Sequence, residues 1–336
     1  MFPVKSIRII IITGLLMAVG IVKAQDPEFS QFYANPLYLN PAMTGATECA
    51  RINLNFRNQW PSLTNAFLTY NISYDQFINS VNSGFGFLVM NDRQGDGALS
   101  TIMASAFYSY NLKVTEGLYI RFGVKGTYFQ EKLDWDKLVF ADQINPIDGS
   151  IDPHSDQPPP ENFSVSTVDF SAGTVINYYD KFMIGFAADH LTQPDISFYD
   201  NSTSKLPIRY TVHGGVVINL KRGTLGHSYG RDLILEPHIL YMRQADFQQI
   251  NGGLYLTKKP ITGGVWFRHN FQNPDAVVFL VGLSFKNINF GYSYDMGVSR
   301  TGGAALGAHE LSFAWNFCIL KENKKRHIRA IKSPLF

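Results

Sequence analysis

The sequence predicts an all-β protein, a transmembrane antiparallel β-barrel of about 14 strands with an extended N-terminal segment before it. Three observations carry that expectation. The chain opens with an export signal; apolar and polar residues then alternate with period two; and no later apolar run is long enough to cross a bilayer as a helix. The balance of composition agrees. Charged residues make up 17%, low for a soluble protein, and aromatics 14%. A mean hydropathy of −0.06 is too polar for a helical membrane protein but suits a barrel that is greasy on one face only. A net charge of +2 argues against nucleic acid as a partner.

Residues 1–24 read as the signal peptide. Lys5 and Arg8 give the basic start, Ile9 to Val22 the apolar run, and Val22-Lys-Ala24 the small-residue cleavage site before Gln25. A run this short falls below the ~20 residues a membrane helix needs, although an uncleaved anchor is the competing reading.

Residues 25–50 fit neither the signal nor the strands. Asn35-Pro36 and Asn40-Pro41 each place a proline that lacks an amide hydrogen and biases the preceding residue away from helix, so the segment is expected to be extended. Phe29, Phe32, Tyr33 and Tyr38 give it something to bury, unlike a flexible linker. It is expected to pack against the periplasmic mouth or inside the lumen.

Residues 51–320 form the barrel. Ile52, Leu54 and Phe56 alternate with Arg51, Asn53, Asn55 and Arg57. Phe122, Val124 and Tyr128 alternate with Arg121, Lys125 and Thr127, and Leu311, Phe313, Trp315 and Phe317 with Glu310, Ser312, Ala314 and Asn316. Charges at mid-strand on the polar face suit a wet lumen; in a soluble sandwich, the rival architecture, that face would meet bulk water. Strands are expected to start near residues 51, 65, 83, 98, 117, 164, 181, 209, 231, 246, 261, 275, 288 and 308. With that count the longest connections, 131–163 and 191–208, fall on the outer side, and the short ones at Lys113–Gly117, Asn177–Asp180, Lys258–Pro260 and Lys286-Asn287 on the periplasmic side. The connection 221–230 is longer than that rule prefers. Asn91–Gly97 reads as an outer hairpin turn, and Trp60, Tyr74, Trp135, Tyr178, Tyr199, Trp266 and Tyr294 as interfacial aromatics. Residues 321–336 form a basic periplasmic tail, either touching anionic headgroups or a partner, or simply solvated.

Little here suggests chemistry. No histidine pair has ligand spacing, and Asp148, Asp152 and Asp156 do not match a calcium loop, so no metal and no cofactor is expected. There is no Gly-x-Ser-x-Gly and no phosphate loop. Asp189-His190 and His309-Glu310 are neighbours on strands, which points them to opposite faces and rules each pair out as an acid–base couple. The protein is therefore expected not to be an enzyme. Cys49 and Cys318 flank the first and last strands, which are neighbours in a closed barrel. A disulfide across that seam competes with two unpaired thiols.

Gln31-Phe-Tyr-Ala-Asn-Pro-Leu-Tyr-Leu-Asn-Pro-Ala-Met-Thr-Gly45, directly after the signal, is similar to the opening motif of the PorP/SprF family, outer-membrane proteins of the Bacteroidetes type IX secretion and gliding machinery. Phe56-Arg-Asn-Gln-Trp-Pro61 and Ala308-His-Glu-Leu-Ser-Phe-Ala-Trp315 extend the resemblance over the whole mature chain. It implies a bacterial outer-membrane location and a non-enzymatic role in secreting or anchoring surface cargo proteins. Outer-membrane lipid, other secretion components and periplasmic ring proteins are the implied partners. It singles out Gln31, Tyr33, Asn35, Pro36, Asn40, Pro41 and Gly45 in the N-terminal motif, and His309 and Glu310 in the last strand, with Glu310 either bonded across the seam or to the N-terminal segment, or simply solvated at a strand end. The alternative is a passive or substrate-selective porin, a transporter of small apolar solutes, with Arg57, Arg121 and Lys125 lining its pore.

Overall fold

A computed structural model describes residues 26–47, 49–63, 67–220, 233–271, 274–298 and 307–318. The signal peptide, the connection 221–230 and the basic tail lie outside the described residues. The strands are β1 (Ala50–Gln59), β2 (Phe67–Ile78), β3 (Ser83–Gln94), β4 (Leu99–Thr115), β5 (Leu118–Leu133), β6 (Ser164–Tyr178), β7 (Phe182–Asp189), β8 (Arg209–Val216), β9 (Ile218–Asn219), β10 (Ile234–Gln244), β11 (Phe247–Lys258), β12 (Ile261–His269), β13 (Pro274–Phe285), β14 (Ile288–Gly297) and β15 (Ala308–Phe317). All pair antiparallel with their neighbours, β15 pairs β1, and β10 pairs both β8 and β11, so the sheet closes on itself. The two-residue β9 only prolongs β8 along β10, which leaves fourteen full strands.

Closure follows from the alternation. The polar set of β1 lies inside, with Arg51, Asn53, Asn55 and Arg57 all buried, while Leu54 on the other face is exposed. The same parity holds on β5, where Arg121, Lys125 and Thr127 are buried and Phe122, Val124 and Tyr128 exposed. A closed barrel leaves no unpaired sheet edge, which is the condition for strands to sit in hydrocarbon. One end carries the connections 134–163 and 190–208; the other carries tight turns such as those after β4, β6, β11 and β13.

Three expectations differ in detail. The N-terminal segment is not extended but wound into short turns, a 3-10 turn at Phe32–Ala34, a one-turn helix at Pro36–Leu39 and a 3-10 turn at Pro41–Met43. Pro36 and Pro41 open their turns, where a missing amide hydrogen leaves no bond unmade. The turn expected at 91–97 is shorter. β3 runs on to Gln94, and the bend is made by Gly95, Asp96 and Gly97, all at positive φ. Trp266 is no interfacial residue: it is 1% exposed and faces inward, because a Cβ on its cross-strand partner Gly253 would stand 2.1 Å from the indole.

The interior is filled by the N-terminal segment. Phe32, Tyr33, Leu39, Ala42 and Met43 share one apolar cluster with Leu240, Tyr255 and Trp266. Phe29 and Leu37 share the other with Leu88, Met103, Phe107 and Phe129. The wall residues alone would leave these apolar patches facing the lumen, and the leader's side chains cover them.

Candidate functional site

Residues 26–45 run the length of the lumen as a leader. At the long-loop end, Asp26 meets His190, Arg209 and Gln244. At the short-turn end, the Gly45 amide donates to Asp75 Oδ2 at 2.8 Å, and the Thr44 carbonyl accepts from Ser109 Oγ at 2.7 Å and Arg121 Nη1 at 3.0 Å. Gly45 has φ +62°, a left-handed bend that glycine makes without strain, and it sends the chain back up as β1. The leader therefore runs through the lumen from end to end and is not confined to one mouth.

Its seats are glycines of the barrel wall. A Cβ on Gly84 would stand 2.3 Å from the Thr44 carbonyl oxygen, and one on Gly123 2.3 Å from the Pro41–Ala42 peptide. One on Gly173 would stand 2.2 Å from Asn40 Oδ1. Asn40 uses the room fully: Oδ1 accepts from Ala42 N at 2.9 Å, and Nδ2 donates to the carbonyls of Thr174 and Phe186, each at 3.2 Å. Backbone-to-backbone approach of this kind fixes one register for the leader.

Just below the long-loop end, Ser30 and Gln31 are bonded to the seam. Their amides donate to the two carboxylate oxygens of Glu310, at 2.7 and 3.1 Å. Ser30 Oγ donates to Asp295 Oδ2 at 2.6 Å. Gln31 Nε2 donates to Ser293 Oγ and to the Glu310 carbonyl, and Gln31 Oε1 accepts from Ser312 Oγ at 2.6 Å. Arg57 and Arg268 neutralise the carboxylates: Arg57 pairs with Asp295 at 3.1 Å and Glu310 at 3.2 Å, and Arg268 with Asp295 at 3.1 Å. A buried carboxylate left alone would cost several kcal/mol, so the arginines make the polar seam tenable. His309 lies on the other face, where Nδ1 is 2.8 Å from the Tyr292 hydroxyl.

A second charged cluster holds the leader's start. Lys125 Nζ and Arg209 Nη2 reach Asp189 at 2.6 and 3.0 Å, and Arg209 Nη1 reaches Asp26 Oδ2 at 2.9 Å and Tyr38 OH at 2.9 Å. The His190 ring bridges Asp26 and Asp169, each at 2.8 Å. Opposite faces for Asp189 and His190 do not hold. His190 follows the end of β7 with φ +60°, which breaks the alternation and turns both side chains into the lumen. They still form no acid–base couple, since both ring nitrogens of His190 are committed to other carboxylates. Burial alone would lower the His190 pKa, but Asp26 and Asp169 hold it up at about 9. Burial would raise Asp26, yet His190 and Arg209 hold it well below the usual carboxylate range.

Tyr33 packs in a tilted contact on His238, 4.6 Å between ring centroids, with His213 at 5.9 Å and Trp266 at 6.5 Å. Asn35, ahead of Pro36, is 1% exposed and its amide group bonds to no described protein atom. Cys49 and Cys318 face each other across the β1–β15 seam at a Cα separation of 4.5 Å and are joined as a disulfide. Asp148 and Asp152 bond within their own loop, to Ser150 and to the His154 amide, and no metal-holding group of His, Cys, Asp or Glu exists among the described residues. The residues that reading the sequence passed over include Asp26, Asp75, Asp92, Asp169, Arg209, Arg268 and Asp295. Asp92 was open to discovery, since the parity of β3 carries it inward; the others are joined by contacts far apart in the chain.

The family model described as type IX secretion system membrane protein PorP/SprF matches residues 21–315. No curated protein matches the chain. Among solved structures, the Pseudomonas putida toluene transporter TodX is 9% identical, with a TM-score of 0.50 over 88% of this chain and 96% of its own. The Acinetobacter baumannii outer membrane protein Omp33 is 7% identical, with a TM-score of 0.44 over 82% of this chain and 100% of its own. A Pseudomonas aeruginosa FadL homologue is 13% identical, with a TM-score of 0.40 over 83% of this chain and 93% of its own. The likeness to TodX bears on the fold alone.

Proposed function

Because the chain belongs to the type IX secretion system membrane protein PorP/SprF family, and so is a bacterial outer-membrane barrel of that system, we infer that it is a non-enzymatic, plugged component that supports secretion or surface anchoring of cargo proteins. The observation that carries this reading is the leader, which occupies the lumen from Asp26 to Gly45 with its apolar side chains forming the interior clusters. A solute pore needs a continuous wet path; a docking platform needs a rigid, closed one.

In this reading residues 1–24 are removed on export, 25–50 form the plug, 51–320 the barrel and 321–336 a periplasmic tail. The long-loop end faces the cell exterior and the short turns the periplasm, the usual habit of outer-membrane barrels. Cargo then meets the mouth formed by the loops 134–163 and 190–208, and periplasmic partners meet the end that holds Gly45 and the seam disulfide.

Two measurements test it. Deleting residues 29–45 is expected to abolish cargo secretion or retention while insertion of the barrel persists, and full activity of the deletion would refute the role. In planar bilayers the intact protein is expected to show no steady conductance; a stable open channel would favour the porin alternative instead.

A further inference from the structure

The charges of the lumen do not balance evenly. Arg51 is spent on Asp75, Arg57 and Arg268 on the seam carboxylates, and Lys125 and Arg209 on Asp189 and Asp26. Arg121 is tied to the Thr44 carbonyl at the far end. Asp92, on the inner face of β3 near the long-loop mouth, is 3% exposed and among the described residues meets only neutral donors, Thr69 Oγ1 at 2.6 Å and Gln94 Nε2 at 2.9 Å. Glu131 stands two strands along in the same row, across Thr101, and no described cation pairs with it either. A buried carboxylate without a counter-charge is expensive, so a region with such a surplus favours an incoming cation.

Asp92 lines a cavity of about 490 Å³ between the leader and the strand ends, within the range of built ligand sites. Its other walls are mostly apolar, including Phe29, Phe32, Tyr38, Trp60 and Phe67. Aromatic walls beside one surplus carboxylate suit a cationic peptide segment better than a lipid tail or a sugar. Rings take an apolar side chain, and Asp92 takes an ammonium or guanidinium.

We propose that this mouth cavity binds a peptide segment carrying a Lys or Arg beside an aromatic or aliphatic side chain, with Asp92 as the counter-charge. The proposal deepens the reading above by giving the chemistry of the cargo segment that docks, and it rests on the long-loop end facing outward.

The test uses the purified mature protein in detergent and three probes followed by calorimetry: acetyl-Phe-Lys-Phe-amide, its norleucine analogue and phenethylammonium. The lysine peptide is expected to bind at least about tenfold tighter than the norleucine peptide, and Asp92→Asn to remove that preference while leaving the norleucine peptide unaffected. This comparison of the two peptides on the unaltered protein needs no variant to fold. Equal binding of the two peptides, an unchanged preference in D92N, or phenethylammonium binding as tightly as the lysine peptide would each overturn the proposal. Cargo retention in cells carrying D92N separates the two levels. Lost peptide preference with lost retention supports both, whereas lost preference with full retention keeps the site and removes cargo docking from it.

Discussion

Arg57 and Glu310 are register partners across the β1–β15 seam and share an ion pair of 3.2 Å, while Glu310 holds the amides of Ser30 and Gln31. One carboxylate thus ties first strand, last strand and leader together. Glu310→Ala strips two buried amides of their acceptor and leaves Arg57 with Asp295 alone. A loss of about 3–5 kcal/mol is expected, the range for breaking a buried pair. Urea unfolding in detergent measures it, and protease cleavage within residues 29–45 should appear in E310A before the barrel itself opens. A leader as protected as in the parent protein would contradict this.

The glycine seats make a prediction with a built-in control. Gly123→Ala drives a Cβ to 2.3 Å from the leader backbone, whereas nothing lies within 4 Å of a Cβ at Gly252. Overpacking against backbone costs about 1–3 kcal/mol, so G123A should loosen the leader and raise bilayer conductance, and G252A should do neither. Similar behaviour of the two variants would mean that close approach is not what seats the leader.

The barrel was legible because one physical rule writes it on every strand: Arg51, Asn53, Asn55 and Arg57 must face one way if Leu54 faces lipid. The leader's path was harder to read. Pro36 and Pro41 look like breakers of helix until they are seen at the first position of one. Trp266 resembles an interfacial residue until the missing Cβ of Gly253 is set beside it. Asp92 sits in a run rich in Asn, Asp and Gly that reads locally as a turn, although the two-residue period of β3 carries it into the lumen. Asp26 and His190 lie 164 residues apart, and no local pattern announces such a pair.

The seam disulfide invites a direct chemical check. Cys49 and Cys318 are 269 residues apart in sequence and 4.5 Å apart at Cα, so their bond closes nearly the whole barrel into a loop. Peptide mapping without reductant should recover the two cysteines linked, and Cys318→Ser should cost about 2–5 kcal/mol, the range for losing a native disulfide. Two free thiols in freshly isolated protein would remove the bond from the account.

The leader's outer end should respond to pH through His190. The groups facing its ring are Asp26, Asp169 and Arg209, with Asp189 behind Arg209. Its folded pKa of about 9 stands above the ordinary value of 6.5, so folding favours the protonated ring. That contribution, on the order of 3 kcal/mol at its fullest, is complete below about pH 6.5 and is lost as pH rises through about 9. Proteolysis near Asp26 should therefore accelerate between those limits. His190→Gln should be cleaved faster at pH 6 and show little further change on going to pH 9, since its amide carries no charge to lose. A parent protein equally resistant at both ends of the window would show that His190 does not hold the leader by charge.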